Sequence, residues 1–70
     1  MQRARVISSN IESVGYDGEA QILETEFMDG AVYQYYNVPA SIHEGLMRAA
    51  SHGSYFHTHI RDVYRYRRVR

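Results

Sequence analysis

The chain has 70 residues, no cysteine, and a formal net charge of zero from eight basic and eight acidic residues. A chain this short is one domain that buries only about 60% of the surface its unfolded form exposes, and it has neither disulfides nor thiolate metal sites to supplement a small core. No apolar run is long enough for a secretory leader or a membrane span, so a cytoplasmic domain without a membrane partner is expected.

Residues 1–70 are expected to form that single domain, with Met1 to Arg5 and Val69 to Arg70 outside its ordered part. In chain order, Ile11 to Tyr16 reads as a short strand that turns through Asp17-Gly18. Gln21 to Phe27 then alternates, with Leu23, Thr25 and Phe27 on one face and Ile22, Glu24 and Glu26 on the other, as a half-buried strand does. Asp29-Gly30 signals a second hairpin into Ala31 to Tyr36.

The register of that hairpin decides which tyrosines are exposed, because a slip of one residue exchanges the two faces. A two-residue Asp29-Gly30 turn would put Gln34 on the Leu23 and Phe27 face. A three-residue loop with Gly30 in a left-handed bulge pairs Phe27 with Ala31, Thr25 with Tyr33 and Leu23 with Tyr35. Gln34 then lies opposite Glu24, and each face is chemically consistent. The second register is therefore expected, and it makes Tyr33 and Tyr35 structural tyrosines of the core.

Val38-Pro39 opens a helix with Pro39 at its first position, and Ile42, Leu46, Ala49 and Ala50 form one apolar stripe. Ser51-His52-Gly53 supplies a stop. Ser54 is the expected N-cap of a second helix that carries Phe56, Ile60 and Val63 or Tyr64. Tyr64 to Arg70 alternates but has no turn signal before it, which leaves an edge strand, a helix extension or a frayed tail open. The fold class is α+β: a three-stranded antiparallel meander, with an optional fourth C-terminal strand, packed against a helical hairpin.

Charge is segregated along the chain. Between Ile11 and Met47 lie seven acidic residues and no arginine or lysine, whereas Arg3 and Arg5 precede that block and six arginines, with only Asp62 among them, follow it. Every cation is arginine, whose planar fork grips phosphate or carboxylate and stacks on aromatic rings. Seven tyrosines interleaved with arginines are what single-stranded RNA binding uses: bases stack on rings and guanidinium groups hold phosphates. The equally economical reading is that the arginines pair with Glu24, Glu26 or Glu44 of the same or a neighbouring molecule, which makes self-association or a protein adaptor the alternative.

Ser8-Ser9-Asn10-Ile11, Val14-Gly15-Tyr16-Asp17, the Leu23 to Phe27 strand, Gly30, Tyr33-Gln34-Tyr35, Val38-Pro39, Ala50-Ser51-His52-Gly53-Ser54-Tyr55-Phe56, Ile60-Arg61 and Tyr64 occur in an order and spacing that resembles the KTSC domain. That family occurs at the C-terminus of some lysyl-tRNA synthetases and as stand-alone bacterial proteins. His57 departs from the pattern, standing where the family has asparagine. The resemblance implies no established activity; it suggests RNA binding through the fusion to a tRNA-handling enzyme.

The candidate RNA-binding residues are Tyr36, Arg61, Tyr64, Arg65, Tyr66 and Arg67. His52, His57 and His59 do not form a metal set, because on a helix the rings of residues 57 and 59 diverge and no carboxylate falls at a ligand spacing. Ser8, Ser9 and Ser51 lack a nucleophile motif, and no glycine-rich loop precedes a helix. A non-catalytic binding module without metal or cofactor is expected, with RNA, a second copy or another protein as partner.

Overall fold

The computed structural model describes residues 1–70 as five strands and two helices: β1 (Arg3–Arg5), β2 (Ile11–Asp17), β3 (Ile22–Phe27), β4 (Val32–Tyr35), α1 (Ala40–Arg48), α2 (His52–His59) and β5 (Tyr66–Arg68). The strands form one antiparallel sheet in sequence order, with the helical hairpin inserted between β4 and β5. The α+β meander and helical hairpin expected from the sequence are present, and the C-terminal strand is real.

The β3–β4 register is the one that keeps Gln34 beside a polar partner: Leu23 lies opposite Tyr35, Glu24 opposite Gln34 and Thr25 opposite Tyr33. Gly30 has φ 94°, a conformation that costs glycine little and an L side chain much. The β2–β3 turn differs from its expected form. It runs through the four residues between the paired Asp17 and Ile22, with Gln21 left-handed at φ 56°, and Asp17 Oδ1 accepts from the amides of Glu19 and Ala20.

Four further details depart from the sequence reading. Arg3–Arg5, expected outside the ordered part, pairs with Gly15, Val14 and Ser13 as the edge strand β1. At the other end, the Val69 amide donates to the Val32 carbonyl at 2.8 Å, and the Val32 amide to the Arg70 carbonyl at 3.0 Å. α1 ends at Arg48, so Ala49 and Ala50 lie beyond its stripe, and Pro39 is its N-cap. α2 starts earlier than expected, since Ser51, and not Ser54, is the cap: its hydroxyl accepts from the Ser54 amide at 3.2 Å. Ser51→Ala should therefore cost about 1 kcal/mol in urea unfolding, and Ser54→Ala much less; equal costs would remove the cap assignment.

The core lies between the sheet and the two helices and joins Ile11, Val14, Leu23 and Tyr35 to Val38, Leu46, Phe56 and Ile60. A register shift between Ile11 and Ser13 lets Ile11 and Val14 both face the helices although they are three positions apart. Tyr16 seals one end of this layer. Its hydroxyl donates to the Val38 carbonyl at 2.6 Å, and its ring stacks on His43 with centroids 4.6 Å apart.

The face of the sheet away from the helices is polar and closed by the chain ends. Arg3 Nε donates to Ser13 Oγ at 2.9 Å, and its guanidinium pairs with Glu24 and reaches Glu26 at 3.5 Å. Gln34 donates to Glu24 at 2.8 Å, and Arg70 pairs with Glu26 at 3.0 Å. Burial alone would raise the Glu24 carboxyl, but hydrogen bonds from Gln34 and Arg3 outweigh it and hold its pKa below the ordinary value.

Candidate functional site

Strand β5 puts the arginine-rich C-terminus against the sheet and decides which side chains share a face. Tyr66 lies opposite Tyr35, Arg67 opposite Gln34 and Arg68 opposite Tyr33; the Tyr36 amide donates to the Arg65 carbonyl at 2.9 Å. Because successive strand residues point to opposite faces, Tyr66 and Arg68 join Tyr33 and Tyr35 on the helix side. Arg65 and Arg67 fall on the polar side with Gln34 and Tyr36.

On the helix side, β4 and β5 and the segment from α2 to Asp62 enclose a cleft of about 420 Å³. Its aromatic wall is Phe27, Tyr33, Tyr35, Phe56 and Tyr66, set at ring-centroid spacings between 5.3 and 6.4 Å. Tyr66 is the outermost ring, 56% exposed. Its polar lining is Asn10, Asp29, His57, Arg61, Asp62 and Arg68. Asp29 is already committed to the β3–β4 turn, where Oδ1 accepts from the Ala31 amide.

The sequence-derived candidates are thus divided by the fold. Arg61 and Tyr66 meet at the cleft, whereas Tyr36, Arg65 and Arg67 lie around the β5 edge on the opposite face. Tyr64 belongs to neither group: it is half-buried and packs against the core. Tyr35 is core and Tyr33 is half-buried against it. Sequence reasoning missed Arg68, Asn10, His57 and Asp62. Arg68 could have been found from the alternation of the tail, since it stands two residues after Tyr66; the other three are assembled by tertiary contact and have no local signal.

The three α2 histidines do separate things. His52 Nδ1 lies 2.8 Å from the Leu46 carbonyl, His59 packs on Tyr55 with centroids 4.3 Å apart, and His57 lines the cleft. No group of three or more His, Asp or Glu side chains gathers in a way that could hold a metal ion, and no helix is long and apolar enough to cross a membrane.

Electrostatically, the carboxylates of the sheet are already used. Glu24 and Glu26 pair with Arg3 and Arg70, and Glu12 pairs with Arg5. Arg61, Arg65, Arg67 and Arg68 form no ion pair and are exposed. The result is a basic ridge along the β5 edge, with arginines on both faces of the strand that carries the exposed Tyr66.

Several known proteins resemble this chain. An uncharacterised protein of Stutzerimonas stutzeri is 43% identical over 70 residues and matched over 99% of both chains. A lysine–tRNA ligase of Trichormus variabilis is 38% identical over 61 residues, which are 87% of this chain and 11% of the ligase. The crystal structure of a KTSC domain protein from Yersinia pestis superimposes with a TM-score of 0.93 at 38% identity, covering 99% of this chain and 97% of that one. With the KTSC domain family model matching residues 7–69, the chain belongs to the KTSC domain family.

Proposed function

We propose that this KTSC domain is a non-catalytic module that binds single-stranded RNA along the β5 edge. The observation that carries this reading is the set of four exposed arginines without carboxylate partners, Arg61, Arg65, Arg67 and Arg68, flanking Tyr66. Had these arginines been consumed by Glu24 and Glu26, nothing would remain for phosphate; the chain instead neutralises those carboxylates with Arg3 and Arg70. A guanidinium fork binds phosphate in a bidentate way, and an exposed tyrosine offers a stacking surface to any base. The occurrence of relatives within lysine–tRNA ligases supports the same reading.

The test is a titration of the domain with short fluorescent single-stranded RNA at several salt concentrations. Binding should be saturable at low salt, with log affinity falling by roughly 0.7 per phosphate contact for each log unit of salt. Replacing Arg65, Arg67 and Arg68 by alanine should flatten that slope by about 2, the sum of three such contacts. Absence of saturable binding at low salt would sink the proposal. If sedimentation instead shows concentration-dependent association that weakens with salt, the same ridge serves a second copy or a protein partner.

A further inference from the structure

Two groups in the cleft are left without a task by phosphate binding. Tyr35 is 4% exposed, yet only the hydroxyls of Tyr16 and Tyr36 among the tyrosines donate to a protein acceptor. The charges that act on the Tyr35 hydroxyl include those of Arg61 and Asp62, with Tyr33 and Tyr66 beside them, and all four residues line the cleft. Thr25 Oγ1 is the one side-chain polar atom fully buried without a partner, so the Tyr35 hydroxyl reaches the open cleft, where it can donate to a ligand acceptor. Burial pushes its pKa up to about 12, so it keeps its proton at any physiological pH.

Asp62 is the second group. It holds φ 62° in the turn after α2, a left-handed conformation that L side chains adopt at a cost and that clusters at functional sites. Its carboxylate enters none of the protein's ion pairs. The cleft therefore combines a fixed neutral donor, a free carboxylate, an exposed ring and two cations in a volume of about 420 Å³, within the usual range for a small-ligand site.

Resting on the RNA-binding reading above, we propose that this cleft is a one-nucleotide pocket selective for guanine. The base stacks on Tyr66, its N1–H and N2–H₂ groups donate to the Asp62 carboxylate, the Tyr35 hydroxyl donates to O6, and Arg61 and Arg68 hold the adjoining phosphates. Among the four bases only guanine presents two adjacent donors to one carboxylate. Uracil offers a single imino donor between two carbonyls, and adenine and cytosine set a ring acceptor against the carboxylate, which repels it.

The experiment compares oligouridylates carrying one central guanosine, adenosine or cytidine with the unsubstituted oligomer, by fluorescence anisotropy on the full chain. Guanosine should bind about tenfold more tightly than the others, toward the low end of what a bidentate base contact discriminates. Asp62→Gly suits the left-handed backbone and Tyr35→Phe keeps the packed ring, so both variants should remain folded; each should reduce the guanosine preference, Asp62→Gly to near unity. Equal binding of all four oligomers would overturn the pocket and leave the RNA reading standing. A guanosine preference that survives both variants would overturn this assignment of residues, and no binding to any oligomer would overturn both proposals.

Discussion

Phe56→Ala should leave the domain largely unfolded at 25 °C. Phe56 is the α2 residue that enters the core, 4% exposed, and its ring meets Phe27 and Tyr35 edge-on at 5.4 and 5.3 Å. Deleting a buried phenyl costs about 3–5 kcal/mol, because the lost transfer energy is joined by a cavity that the surroundings only partly fill. A single core of this size supplies net stability of about the same magnitude, so one substitution exhausts it. The expected readout is collapse of amide-proton dispersion in NMR and loss of the cooperative urea transition. Phe56→Leu, which keeps most of the volume, should fold with a reduced midpoint. A Phe56→Ala variant within about 1 kcal/mol of the parent would mean that α2 docks through other contacts and that the cleft wall is not part of the core.

Much of this arrangement is legible in the sequence, for identifiable reasons. The β3–β4 register follows from one polar residue: Gln34 has a partner in Glu24 only if Gly30 takes the left-handed position, and the alternation of Leu23, Thr25 and Phe27 does the rest. The apolar stripe through Ile42 and Leu46 likewise specifies α1. Strand β1 was not legible, because Arg-Ala-Arg carries no strand signal and is held by partners far along the chain, Ser13 and Glu24. The α2 cap was misplaced at Ser54 because Ser51 offers the same chemistry three residues earlier, and only the observed hydrogen bond identifies it. For the candidate site, tyrosine and arginine content pointed to the C-terminal segment, but composition does not distribute side chains between faces. That required the pairing of Tyr66 with Tyr35, which sends Arg67 and Arg68 to opposite sides. Asp62 joins the cleft through a turn whose left-handed residue is an aspartate, and nothing in the surrounding sequence marks it.

Gly15→Ala should detach β1 and, with it, the counter-charge of Glu24. Arg3, Gly15, Glu24, Gln34 and Arg67 form one transverse row across all five strands, and Arg3 reaches Glu24 across Gly15, where no side chain stands in the way. A β-carbon on Gly15 would lie 2.7 Å from the Gln2 carbonyl oxygen and 2.9 Å from Arg3 Cγ. The first of these is backbone, so relief requires β1 to move and not merely a side chain to rotate. Overpacking of this kind costs about 1–3 kcal/mol. The loss should also change the pH dependence. In the parent, the lowered Glu24 pKa contributes stability that is present above the ordinary carboxylate value of 4.5 and is lost as pH falls through the native value. Without Arg3, burial of Glu24 is opposed by Gln34 alone and that contribution shrinks. The stability gap between parent and variant, measured by urea unfolding, should therefore be widest at about pH 7 and narrower at about pH 3, with faster hydrogen exchange of the β1 amides in the variant. A gap independent of pH, with β1 amides protected as in the parent, would show that Arg3 keeps its hold on Glu24 and that the absence of a side chain at Gly15 is not what permits it.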